Sequence, residues 1–92
     1  MRFTWDEKKN KKNIKKHGIS FNHATRVFTD PIRIEDYDIK HSFSEEQRII
    51  AIGFAENLLL FVIFTEPEQD TIHIISARKA EKNERRYYYG NR

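Results

Sequence analysis

The sequence predicts a small α+β domain: a mainly antiparallel four-stranded sheet, two N-terminal helices on one of its faces, and a C-terminal helix. Three observations carry this reading. Phe21, Ala24, Val27 and Phe28 recur at helical spacing and stop at Asp30-Pro31. After that proline come apolar runs of strand length joined by links too short to hold crossover helices, which implies an antiparallel meander. The chain has 92 residues, enough for one domain with one small core.

Arg2–Trp5 reads as a short extended segment with Phe3 and Trp5 on one face, in need of a partner strand or helix. Asp6 is placed to cap a helix over roughly 7–16, Glu7 suits its first turn, and Gly18 suits the position just past its end. Ile14 is the one apolar residue inside this helix, so its packing face is thin. Ser20 caps the second helix, and Ile19 and Ala24 are spaced as a hydrophobic staple. Ile32–Tyr37 is a weakly alternating strand with Ile32 and Ile34 on one face. Asp38–Glu46 is a polar connection. Arg48–Ala55 is a strand in which Gly53 marks a bulge or a close approach. Glu56-Asn57 is a two-residue turn, and Leu58–Thr65 is apolar on both faces, as a central strand should be. Glu66–Asp70 is a charged hairpin loop. In Ile72–Lys79 strict alternation puts Ile72, Ile74, Ser76 and Arg78 on one face and His73, Ile75, Ala77 and Lys79 on the other. A last helix runs from near Ala80 to about Tyr88.

Composition narrows the functional classes. No apolar stretch reaches the length of a membrane span, and the N-terminus has no hydrophobic signal segment. The absence of cysteine removes disulfide and thiolate chemistry. A cytoplasmic location without membrane association is the expectation. Net charge is +3, but the cations are concentrated. Six lysines fall between Lys8 and Lys16, and Arg78, Lys79, Lys82, Arg85 and Arg86 form a second block. Two basic patches favour an anionic partner, nucleic acid above all; a merely solvated helix face is the plainer alternative for the lysines.

No phosphate-binding glycine loop, zinc-ligand cluster or serine-nucleophile motif is present, so neither cofactor nor metal is expected. A metal-independent ribonuclease needs less. The RNA supplies its own 2′-hydroxyl, and the protein must align it, move two protons and stabilise the charge on phosphorus. Arg78 is the first choice for the phosphate, delivered by a rigid strand, with a structural salt bridge as the alternative. Arg48 opens a neighbouring strand and could pair with Glu46 or sit near Arg78. His41, in a polar loop with Ser42, Glu45 and Glu46, is the preferred acid–base group. His73 reads as an ordinary sheet-face residue. Glu84 with Arg85 either forms a structural ion pair that supports the site or belongs to it. Lys9, Lys12, Lys16, His17, Lys79 and Arg85 are candidates for RNA contacts, and Tyr87–Tyr89 could stack bases or form an interface.

The order of features is familiar as a set. Phe3-Thr4-Trp5-Asp6 is followed by Lys9, Asn13, Lys16, His17 and Gly18, then by Phe21, Ala24, Val27, Phe28 and Asp30-Pro31. His41-Ser42, Glu45-Glu46-Gln47-Arg48, Ile52-Gly53, Ile75-Ser76-Ala77-Arg78-Lys79-Ala80 and Glu84-Arg85 complete it. Over roughly residues 2–88 this strongly resembles the BrnT family of bacterial type II toxins. The resemblance implies a RelE-like fold, ribonuclease activity that arrests translation, and a BrnA-like ribbon-helix-helix antitoxin. It implies operator DNA as a partner only through the toxin–antitoxin complex. Its recurrent polar positions fall here on Trp5, Asp6, Lys9, His17, His41, Glu46, Arg48, Arg78 and Glu84. Gln47 and the dense lysine run at 8–16 depart from the pattern. A nucleic-acid- or protein-binding module without catalysis, and a growth inhibitor that blocks a protein target, are the competing classes.

Overall fold

The computed structural model of the protein describes residues 1–42 and 46–90. Five strands, β1 (Arg2–Thr4), β2 (Ile34–Tyr37), β3 (Ile49–Ala55), β4 (Leu58–Glu68) and β5 (Thr71–Lys79), form one sheet in the order β1-β5-β4-β3-β2. The helices are α1 (Glu7–His17), α2 (Phe21–Ala24), which continues as a 3₁₀ turn through Thr29, and α3 (Lys82–Gly90). The meander β2 to β5 is antiparallel as expected, and Arg2–Thr4 finds its partner by lying parallel to β5, which makes a fifth, edge strand. The strand read as ending at Thr65 runs on to Glu68, so the charged hairpin loop shrinks to a turn with Asp70 at φ 63.

Local signals in the sequence become local structure. The Asp6 carboxylate accepts from the backbone N–H groups of Lys8 and Lys9, and Ser20 accepts from that of His23. Gly18 adopts φ 74, where a side chain would be strained. Gly53 is a close approach: an added Cβ would lie 2.9 Å from the Arg33 Cβ and 3.1 Å from a Val27 methyl.

Two apolar clusters divide across the sheet. Phe21, Ala24, Val27 and Phe28 pack on Ala51, Leu60, Val62, Phe64, Ile72, Ile74 and Ala77. On the other face Tyr88 of α3 packs with Ile52, Leu59 and Ala80. Tyr88 is therefore core, not part of an exposed aromatic end; Tyr87 and Tyr89 are exposed. The Tyr88 hydroxyl donates to buried Asp30 at 2.7 Å, and Asp30 also accepts from the backbone N–H groups of Ile32 and Phe54. One carboxylate thus ties the end of the helical segment, β3 and α3 together.

Helix α1 packs differently from its sequence pattern. Ile14 is 42% exposed, while Asn10 and Asn13 are buried. β1 covers β5 only as far as His73, so the rest of that edge needs hydrogen-bond partners. Asn13 supplies them: its amide donates to the carbonyls of Ala77 and Ile19, and its carbonyl accepts from the Ala77 N–H. Asn10 accepts from the Phe21 N–H. Amides matched to backbone groups do what an apolar stripe does elsewhere.

The alternation in β5 breaks at Ile75. Ser76 pairs with Ile63, but Ile74 pairs with Phe64, so Ile75 is an extra residue. One extra residue reverses the facing of everything beyond it. Ile72 and Ile74 face the helix-covered core before the bulge, and Ala77 faces it afterwards. Ser76 and Arg78 consequently lie on the opposite face, not with Ile72 and Ile74 as strict alternation predicts. The bulge is what delivers Arg78 to the face that α3 only partly covers.

Candidate active site on the open sheet face

Strand register fixes two rows of side chains on this face. At one end Arg78 pairs with Phe61 and Phe61 with Ile52. At the other, His73 pairs with Thr65 on one side and Thr4 on the other, and Arg48 immediately precedes β3 beside this row. Phe61 and Thr65 are four residues apart on β4, about 13 Å at strand rise. Arg48 and Arg78 are therefore not neighbours, contrary to one of the options the sequence left open.

Arg78 is engaged through both terminal nitrogens. Its two terminal nitrogens donate to the two carboxylate oxygens of Glu84, each at 2.8 Å. One of them also reaches the Lys79 carbonyl at 3.1 Å. The guanidinium stacks 4.2 Å from the centre of the Phe61 ring. Glu84 in turn accepts from the backbone N–H of Glu81, just ahead of the helix, so it caps α3 from within. Burial pushes the Glu84 carboxyl up, but hydrogen bonds from Arg78 and the Glu81 N–H, with the Arg78 charge, outweigh it and leave the group below its ordinary value. The bond to Glu84 raises the Arg78 pKa against an opposing push from burial. The salt-bridge alternative for Arg78 is thus realised in the free protein, and Glu84 is its partner; among the described residues Glu84 pairs with Arg78, not with the expected Arg85.

The other end is the reverse case. A recess of about 360 Å³ is lined by Lys9, Glu46, Arg48, Thr65, Pro67, His73 and Ile75. The Arg48 Nε is buried with no hydrogen-bond partner among the described residues, and Glu46 lies on the same wall without an ion pair to it. The backbone of Arg48 is held firmly. Its N–H donates to the Ser42 hydroxyl, which donates to the Asp38 carbonyl, while the Asp38 N–H donates to the Arg48 carbonyl. Lys9 reaches the recess from α1, held over the β5 edge by Asn13. His73 Nδ1 lies 2.8 Å from the Thr4 hydroxyl.

Lys12 and Lys16 are exposed on α1, and Lys79 and Arg85 are exposed at the end of β5 and on α3. His17, half-buried, lies in the last turn of α1. Ser42 and Glu46 are placed, whereas the side chain of His41 and the whole of Glu45 lie outside the described residues. Thr4, Ser42 and His73 were not singled out as site residues by sequence. Only the parallel pairing of β1 with β5 brings Thr4 to His73, and the sequence does not say which edge β1 joins. Among the described residues no group of three or more His, Cys, Asp or Glu side chains is placed to hold a metal ion. Nor, among them, is any helix long and apolar enough to cross a membrane.

These features define a RelE-like α+β domain with an open sheet face, at one end of which the buried Arg48 Nε has no partner among the described residues. The family model described as "Ribonuclease toxin, BrnT, of type II toxin-antitoxin system" matches residues 5–84, and the chain belongs to that family. Its structure is similar to the crystal structure of the Brucella abortus ribonuclease toxin BrnT, with a TM-score of 0.68 and 26% sequence identity, covering 89% of this chain and 99% of that one. No curated protein matches the chain.

Proposed function

We propose that this protein is a metal-independent endoribonuclease toxin, held in check by a BrnA-like antitoxin, and that it binds the scissile phosphate in the recess at the Arg48 end of the open face. The observation that carries the reading is the buried Nε of Arg48, which has no partner among the described residues. A buried polar group without a partner is costly, and a phosphate oxygen would satisfy it. Lys9 adds a second positive charge from a separate element. Arg48 stabilises the negative charge that builds on phosphorus, and Lys9 holds a non-bridging oxygen. Glu46 on the recess wall is a further proton-handling candidate.

Arg78, paired with Glu84, anchors α3 against the sheet and keeps the open face in shape. Lys12, Lys16, Lys79 and Arg85 supply flanking charge for the RNA backbone, and His17 supplies a further contact. Family membership supports RNA as substrate and an antitoxin encoded with the toxin; operator DNA is then a partner of the toxin–antitoxin complex rather than of this chain alone.

The test is incubation of the purified protein with RNA in EDTA. The reading expects fragments ending in 2′,3′-cyclic or 3′-phosphate, and no cleavage of the DNA equivalent, which lacks the nucleophile. Growth arrest by a protein that leaves RNA intact under these conditions would transfer the case to a toxin that blocks a protein target.

A further inference from the structure

The geometry points to His73 as the group that takes the proton from the RNA 2′-hydroxyl, with Thr4 as the residue that positions it. This rests on the ribonuclease reading above and assigns the proton acceptor within it. His73 combines three properties. It lines the same recess as Arg48 and Lys9. Its Nδ1 is fixed 2.8 Å from the Thr4 hydroxyl. Its ring sits on β5, the strand paired on both sides at this residue, by Thr4 of β1 and Thr65 of β4.

Two ring nitrogens with different surroundings are what a proton acceptor requires. When Nδ1–H donates to the Thr4 oxygen, Nε2 carries the free lone pair. Among the described residues Nε2 has no partner of its own. The charged groups that share the recess are Lys9, Arg48 and Glu46. The two cations hold a phosphate beside the imidazole, and the carboxylate faces the imidazolium that forms.

The step balances without a further reagent except water. The 2′-O–H bond breaks and its proton passes to Nε2. The 2′-oxygen bonds to phosphorus and the P–O5′ bond breaks. Its electron pair stays on the 5′-oxygen, which takes a proton from water. The products are a 2′,3′-cyclic phosphate and a 5′-hydroxyl, and the imidazolium returns its proton to solvent. β1 thereby acquires a chemical purpose: an edge strand of three residues brings the hydroxyl that orients the base.

His73→Asn tests the assignment, because its amide can keep a polar group near the Nδ1 position while removing Nε2. Single-turnover cleavage should fall at least 100-fold with RNA affinity changed less than threefold. The affinity and the thermal midpoint show that the variant is folded. A substrate with sulfur in place of the 5′-bridging oxygen separates acid from base, since a thiolate leaves without a proton. The His73→Asn defect should persist on that substrate. Thr4→Val should lower the rate about tenfold at unchanged affinity, and Thr4→Ser should restore it. Cleavage by His73→Asn within threefold of the parent would overturn the inference and leave the ribonuclease reading standing. So would loss of the defect on the sulfur substrate. If the parent protein cleaves no RNA in EDTA, both fall together.

Discussion

The two ends of the open sheet face carry one arginine each, and they differ in what already satisfies them. Arg78 meets Glu84 in a two-pronged pair, stacks on Phe61 and reaches a carbonyl. Arg48 has a tightly held backbone and a buried side-chain nitrogen with nothing to bond among the described residues. We read the paired Arg78 as support for the fold, and the Arg48 Nε, without a partner among the described residues, as open to a phosphate oxygen. The difference teaches that a strand-end arginine in a basic sequence is not by itself a phosphate site. What decides is whether a carboxylate has been built to meet it.

The comparison can be broken most forcefully at Arg48. Arg48→Gln should reduce RNA cleavage about 100-fold or more, the scale of losing one transition-state donor. Its thermal midpoint should stay near that of the parent or rise, because the variant no longer buries an Nε–H that has no partner among the described residues. A midpoint that drops sharply would mean Arg48 supports the fold after all.

At the other end the larger effect should be on stability. Arg78→Ala leaves a partly buried carboxylate without its partner and removes the guanidinium from Phe61, at a cost of about 2 kcal/mol. For a domain of this size that is a fall of roughly 8–16 °C in midpoint, readable by calorimetry. Asn13→Ala should cost about as much, roughly 1–3 kcal/mol, by leaving the Ala77 N–H and two carbonyls unpaired. It should also loosen α1 and with it Lys9.

A subtler distinction is the dependence on pH. The Glu84 carboxyl is lowered in the folded state from an ordinary 4.5, so the unfolded chain binds a proton there more readily than the folded one. Its contribution to stability is complete above the unfolded value and is lost as pH falls through the folded value. The midpoint difference between the parent and Glu84→Gln should be constant at neutral pH and narrow in acid. A difference that widened in acid would reverse the sign of the account.

The smallest effect belongs to Lys9. Lys9→Ala should make RNA binding less salt-dependent, shifting the slope of log affinity against log salt by about 0.7, as for one phosphate contact on a single strand. An unchanged slope would remove Lys9 from the recess.

What could be read from sequence was what is decided locally. Asp6, Gly18 and Ser20 mark helix ends through their own backbone neighbours, and those ends lie where they were expected. The strands from β2 to β5 follow from apolar runs and short turns. The candidate site was half legible. Lys9, Glu46 and Arg48 were singled out and the fold brings them together, while Arg78 was placed on the wrong face because a bulge at Ile75 depends on how β4 pairs, not on the residues of β5. Asn10 and Asn13 looked like polar helix positions, since the groups they bond lie far along the chain at Ala77 or across a turn at Ile19 and Phe21. His73 looked ordinary for the same reason: its significance lies in Thr4, 69 residues away.

The most direct test of the account sets the two arginines side by side. Single-turnover cleavage of one RNA in EDTA is measured for Arg48→Gln and Arg78→Ala at a temperature where both are folded, with rates expressed per folded molecule. The account predicts that Arg48→Gln loses at least 100-fold while Arg78→Ala stays within about tenfold of the parent. Full activity in Arg48→Gln, with the loss falling on Arg78→Ala instead, would contradict it.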